Sequence, residues 1–245
     1  MRKILSISLV FVLLSGLIDL NVSTATENDT LVLSDQVVNN LTEVDYAYAY
    51  ERVTSGNDIK SLSEEELDRQ TIIVLNEIYQ EKINSKSFST KSSSNLPISW
   101  DSLNSKEKEM AKKHPFQATI MYNCSAAAKS MSIKHFKYGD ADDNNANAYR
   151  HAFWNAILSR EMGTDNAKKW TDAHEYGHKS LGTEMDLKNN ATGRSIYTAL
   201  AEKKWLWFKP GYLEISDDIL TKVKQGKLVR IVNKKIVKTD GSGRK

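Results

Sequence analysis

Residues 144–194 place polar, ligand-type side chains on helix faces that must point inward, and this constrains the fold more than any other feature of the chain. The stretch reads NNANAYRHAFWNAILSREMGTDNAKKWTDAHEYGHKSLGTEMDLKNNATGR. From Ala146 to Met162 good helix formers run unbroken and Gly163 offers a stop; Thr164 or Asp165 can then cap a second helix running toward Gly177. Asn147, His151, Trp154, Asn155 and Leu158 share one face of the first helix, and Ala167, Trp170, Thr171, His174 and His178 share a stripe on the second. A polar group turned into a core and left unpaired costs about 1–3 kcal/mol. These side chains are therefore expected to be hydrogen-bonded or coordinated, with both histidines of the second helix facing inward.

The second helix also carries a reaction pattern. His174-Glu175-Tyr176-Gly177-His178 matches H-E-x-x-H. On a helix the two histidines stand one turn apart and can each give a ring nitrogen to Zn²⁺, while the glutamate polarises a metal-bound water. A third ligand is required. Asp186, Glu184 and Glu202 follow in sequence, and His151 can come from the neighbouring helix. The metal candidates are thus His174, His178, Asp186 and His151, the catalytic candidates Glu175, His151 and Arg150, and the supporting polar network Asn147, Asp172, Asn189 and Asn190. The pentapeptide resembles that of zinc peptidases, and Gly182-Thr183-Glu184-Met185-Asp186 is similar to the Gly-Thr-x-x-Asp motif that supplies the third ligand in aspzincins. It departs from the Gly-x-x-His type, because Leu181 and Glu184 occupy those positions.

A wider resemblance rests on three motifs in order: Asn147-Ala148-Tyr149-Arg150-His151-Ala152-Phe153-Trp154, Asp172-Ala173-His174-Glu175, and Met185-Asp186-Leu187 with Asn189-Asn190 and Gly193-Arg194. Residues from about 97 to 232 resemble an uncharacterised bacterial domain found in secreted and wall-associated proteins and at the ends of some toxin-like polypeptides. The resemblance implies a helical fold, export and a polar site built on His151, His174 and Asp186, without supplying a reaction. In that pattern the position of His178 carries no histidine.

The rest of the chain frames this stretch. Met1-Arg2-Lys3, an apolar run and Ser23-Thr24-Ala25 read as a secretory signal over residues 1–25, so the expected location is extracellular or wall-associated, with no transmembrane span once the signal is removed. Cys124, the single cysteine, excludes a disulfide framework and lies on an apolar helical face as a packing residue. Residues 26–84 form an acidic segment whose first part is mixed and partly disordered by composition. Ser63 to Glu66 then makes a capping box for a helix over about 64–83. Residues 85–96 read as a Ser-rich linker, and residues 97–240 as the helical domain that carries the site.

Within that domain Asn104 and Glu107 form a second capping pattern, and Pro115 fits the first turn of a core helix. The acidic run Asp140, Asp142, Asp143 offers oxygens for calcium but lacks the glycine and terminal glutamate of an EF-hand loop. Asn189 or Asn190 is expected to cap a helix that ends before Pro210-Gly211, and Ser216 to start a short helix stopped by Gly226. A hairpin turns about Asn233-Lys234, and GSGRK forms a loose tail. The expected fold is mainly α, a helical domain with a small C-terminal β-hairpin.

Charge divides along the chain. Residues 26–96 carry 6 Lys/Arg against 13 Asp/Glu, and residues 97–245 carry 26 against 17. A basic exported domain is drawn to anionic envelope polymers or lipid surfaces. The surplus is spread out and no nucleic-acid motif is present, so nucleic acid is not an expected partner. Three readings remain open at this level. One is a metal-dependent hydrolase of a peptide, wall polymer or lipid. Another is a metal-free hydrolase using a histidine–carboxylate pair. The last is a non-catalytic envelope-binding or toxin-associated module with a buried polar network.

Overall fold

Eighteen residues of α6 (Asn145–Met162) form the axis around which the other elements pack. Fourteen of them are buried, which explains why the helix is apolar or small on nearly every side: Ala148, Tyr149, Ala152, Phe153, Ala156 and Ile157 are enclosed by neighbours. Asn144 caps its start through Oδ1, accepting from the N–H of Ala146 (2.7 Å) and Asn147 (2.9 Å), and Gly163 at φ +84° ends it. The structure is a computed structural model and describes residues 32–55, 59–86, 103–204 and 208–245. The signal reading at 1–25 and Trp205 and Trp207 lie outside the described residues, as does the Ser-rich stretch beyond Lys86.

Around α6 stand α5 (Pro115–His135), α7 (Thr164–His174), α8 (Leu181–Glu202) and α9 (Tyr212–Lys224). α6 and α8 cross at close range. A Cβ on Gly193 would lie 2.0 Å from the Ala152 carbonyl oxygen, so only glycine permits the crossing at this depth. The hairpin β1 (Val229–Val232) and β2 (Lys235–Lys238) pairs Val229 with Lys238 and Val232 with Lys235. Its two-residue turn places Asn233 and Lys234 at φ 51° and 58°, the left-handed pair that matches strand twist. Among the described residues the architecture is helical with this one sheet, as expected, and no helix is long and apolar enough to cross a membrane.

The acidic segment supplies α1 (Asp35–Asn40), α2 (Glu43–Ser55) and α3 (Glu64–Lys86). The stretch expected to be partly disordered therefore holds two helices from residue 35 to 55. The reason is tertiary: Val38, Tyr46 and Leu75 are fully buried, and Tyr46 packs on Tyr122 of α5 with ring centroids 5.5 Å apart. Each such side chain contributes about 1.5–3 kcal/mol of burial. Asp68 of α3 accepts from the Phe116 N–H (2.9 Å), capping α5 from a distance where Pro115 and His114 supply no side-chain cap of their own. The capping box at Asn104 forms as expected and starts α4 (Ser105–Lys113).

Three expectations about element ends are corrected. α8 starts at Leu181 on the Ser180 cap (Thr183 N to Oγ, 3.0 Å), so Asn189 and Asn190 lie inside it. α9 starts at Tyr212, not at Ser216, whose buried hydroxyl instead meets Tyr149 (2.8 Å). The final residues are tied down: Lys245 N–H donates to His135 C=O (3.0 Å) and Lys137 N–H to Gly243 C=O (2.8 Å).

Candidate functional site

A cleft of about 940 Å³ opens beside α6, lined by α2, α4, α7 and its following turn, the start of α8, the loop before α6 and the hairpin. α7 stops at His174 instead of running on to Gly177, because Gly177 takes φ +88° and the chain turns, with Tyr176 N–H on Ala173 C=O and His178 N–H on Glu175 C=O. The H-E-x-x-H pentapeptide is therefore not helical. His178 is exposed at the rim, not inward, and does not stack one turn from His174. The same turn swings Glu175 back over α6, where its side chain is only 10% exposed.

Three ligand-type groups converge there: His151, Glu175 and Asp186 each offer an atom within 4.8 Å of the others. His151 comes from α6 and Asp186 from the second turn of α8, brought together by the crossing at Gly193. His151 Nε2 lies 3.4 Å from Asp186 Oδ1, and Nδ1 lies 4.0 Å from Glu175 Oε1. The neighbouring amides assign the ring's tautomer. Asn155 Nδ2 donates to Asn190 Oδ1 (2.7 Å), and His151 Nδ1–H donates to the same oxygen (3.2 Å). The lone pair is left on Nε2, facing Asp186. With its Nδ2 turned inward, Asn147 donates to His151 Nε2 (3.2 Å) and Asp186 Oδ1 (3.3 Å) while its Oδ1 accepts from Asp143 N–H (3.2 Å).

Burial dominates the electrostatics of this group. It holds His151 neutral, its pKa lowered to about 3, with the charges of Arg150 and His174 adding to the effect. Asp186 is pushed up to about 7, by burial first and then by the Glu175 charge. Glu175 is also raised by burial. Two carboxylates and an unprotonated imidazole nitrogen crowd together in this way, with Arg150 and His174 as the positive groups beside them.

His174 belongs to a second arrangement. Its Nδ1–H donates to Glu107 Oε1 at 2.8 Å, and Glu107, 4% exposed, is fixed because its other oxygen accepts from Asn104 N–H (2.8 Å) in the capping box of α4. Asn104 Nδ2 reaches across to the last carbonyls of α7, Ala173 (2.9 Å) and His174 (3.1 Å), so one residue caps two helix ends. Burial opposes charge on His174, but the Glu107 hydrogen bond and charge, with Glu175 and Glu43, outweigh it and push its pKa up to about 9. The ring stands edge-on to Trp154 at 5.1 Å, and 37% of the side chain faces the cleft.

The remaining candidates separate. Arg150 lines the cleft and donates to Asp142 Oδ1 (2.9 Å). Asn190 joins a buried network with Asn155, Thr171 and Arg194, whose Nη1 donates to Asn155 Oδ1 (2.6 Å). Asn189 instead grips the hairpin, exchanging hydrogen bonds with Val229 N–H (3.0 Å) and C=O (2.9 Å). Asp172 pairs with Lys168 on the outer face of α7. Glu107 and Asn104, read from the sequence only as a helix cap, are the contributors that reading missed. Residues 108–227 match a family described as a domain of unknown function (DUF6973). No curated protein and no solved structure matches the chain.

Proposed function

We propose that the cleft belongs to a metal-dependent hydrolase of an exported, envelope-associated protein, with His151 and Asp186 holding a divalent ion and Glu175 acting on water. The observation that carries this reading is the convergence of His151, Glu175 and Asp186 within 4.8 Å on the cleft wall. An imidazole Nε2 lone pair and carboxylates suit zinc, and the protonation states fit a site waiting for positive charge. When bound, such an ion lowers the pKa of a water and polarises the scissile group. Glu175 takes the proton of the attacking water. The His174 ring, held by Glu107 with its other nitrogen free for the cleft, gives a proton to the leaving group as the scissile bond breaks. Leu181 and Ile231 are the large apolar side chains of a lining otherwise polar or charged among the described residues. A peptide or envelope polymer fits such a surface better than an acyl chain does.

The test is metal analysis of the purified protein together with turnover of peptide, wall-polymer and lipid substrates. Glu175→Gln should keep the ion and lose turnover. Absence of bound metal after incubation with zinc, manganese or iron would overturn the reading. The buried network of Asn155, Asn190, Thr171 and Arg194, in which only the Asn190 Nδ2 lacks a partner among the described residues, favours a second reading, a non-catalytic envelope-binding module in which these amides only fix helix positions. Under that reading the Glu175 substitution changes nothing but local stability.

A further inference from the structure

Two protein donors hold zinc poorly, and the structure offers a third that the sequence marks only as a polar neighbour. Asn147 lies one helical turn before His151 on α6 and is 3% exposed. Its amide can face the site with either end. With Nδ2 inward it hydrogen-bonds His151 Nε2 (3.2 Å) and Asp186 Oδ1 (3.3 Å). Turned by 180°, the amide gives up the Asp143 N–H and sets Nδ2 against it, puts Oδ1 in the same place, and three lone-pair atoms then form a triangle. Its sides are 3.2 Å to His151 Nε2, 3.3 Å to Asp186 Oδ1, and 3.4 Å between those two. Three acceptors at that spacing repel one another unless a cation lies among them. The size of the triangle also discriminates between ions. Donors about 2.0–2.1 Å from a tetrahedral zinc are about 3.3–3.4 Å apart, whereas octahedral donors at the same distance from magnesium are about 2.8–3.0 Å apart.

We propose that Asn147 is a metal ligand, its amide oxygen joining His151 Nε2 and Asp186 Oδ1 as the third protein donor of a tetrahedral, zinc-type site. The proposal rests on the metal reading above and specifies it. The same residue then serves both states of the site. With the ion bound it presents oxygen; with the ion gone the amide turns and donates to the two atoms that held the metal, so the empty site stays hydrogen-bonded and open. Three protein donors leave the fourth position to water, the pattern of a catalytic zinc site. Glu175, whose Oε1 lies 4.0 Å from His151 Nδ1, is left to act on that water.

The experiment is a zinc titration of the full chain, paired with the visible spectrum of its cobalt-substituted form, on the unmutated protein, Asn147→Ala and Asn147→Asp. The unmutated protein should bind one equivalent and give the intense cobalt absorption of a four-coordinate site. Asn147→Ala should lose about 100-fold or more in affinity, beyond what removing an outer-sphere partner does, and should change the spectrum. Asn147→Asp keeps an oxygen in place but cannot donate a hydrogen bond, so as a ligand it should retain or tighten binding; a residue needed only as a donor would lose it as alanine does. Unchanged affinity and spectrum in Asn147→Ala, or equal weakness in the two variants, overturns this proposal alone. If Asn147→Ala does not fold, the near-isosteric aspartate decides by itself. No zinc or cobalt on the unmutated protein overturns the metal reading and this proposal together.

Discussion

At the crossing of α6 and α8, His151 is held by the amides of Asn190 and Asn147; at the end of α7, His174 is held by the carboxylate of Glu107. Both rings stand edge-on to the same indole, Trp154, at 6.1 and 5.1 Å. Yet burial lowers one pKa to about 3 while Glu107 lifts the other to about 9. Residue type alone does not decide a histidine's role here; burial and the charge of its hydrogen-bond partner do. An amide oxygen fixes the tautomer without supplying charge, which yields a neutral nitrogen donor. A buried carboxylate stabilises the imidazolium, which yields an acid.

The harshest way to break the contrast is to separate the helices under His151 alone. Gly193→Ala drives a methyl into the Ala152 carbonyl, and overpacking of this kind should destabilise by about 3 kcal/mol, read as a shifted denaturation midpoint. Removing the ring comes next: His151→Ala should weaken zinc by at least about 100-fold, about 2.7 kcal/mol at 1.36 kcal/mol per decade, whereas His174→Ala should leave zinc bound and remove turnover. Loss of metal in His174→Ala but not in His151→Ala would reverse the assignment.

Acidity provides a finer test in the metal-free protein. His151, lowered from 6.5, contributes stability that is full above about 6.5 and lost as the pH falls toward about 3; His174, raised from 6.5, contributes stability that is full below about 6.5 and lost as the pH rises through about 9. Replacing each with asparagine should therefore change the slope of melting temperature against pH in opposite windows. Zinc binding should in turn weaken about tenfold per unit below about pH 7, where Asp186 takes up a proton. The smallest effect is expected at His178, exposed on its turn: His178→Ala should alter stability by less than about 0.5 kcal/mol and leave metal affinity unchanged.

How far the sequence shows all this depends on whether local chemistry and tertiary use agree. α6 is legible because its run of helix formers, its stop at Gly163 and its inward polar face all serve the helix they belong to. α8 is not, because Asn189 and Asn190 have the chemistry of caps but spend it on the hairpin and on Asn155, contacts 40 and 35 residues away. Glu107 is hidden for the opposite reason: the capping box accounts for it locally, and nothing in its neighbourhood reveals that the second oxygen holds a histidine 67 positions on. The H-E-x-x-H pattern misleads because its glycine, at φ +88°, turns the chain before the second histidine can stack.

The hairpin that Asn189 grips also sets an order of events. Ile231 N–H donates to Asp143 C=O at 2.8 Å, and Asp143 N–H meets the Asn147 amide, so strand β1 props the loop that leads into the site. Because β1 and β2 come so late in the chain, a ribosome delivers the site's outermost support only after every ligand-type residue has already emerged. A helix closes its hydrogen bonds over four positions, whereas closing the loop around Asp143 waits on a pairing nearly ninety positions distant. Completion of the site is thereby placed behind the emergence of all its candidate ligands, His151, Glu175 and Asp186 among them.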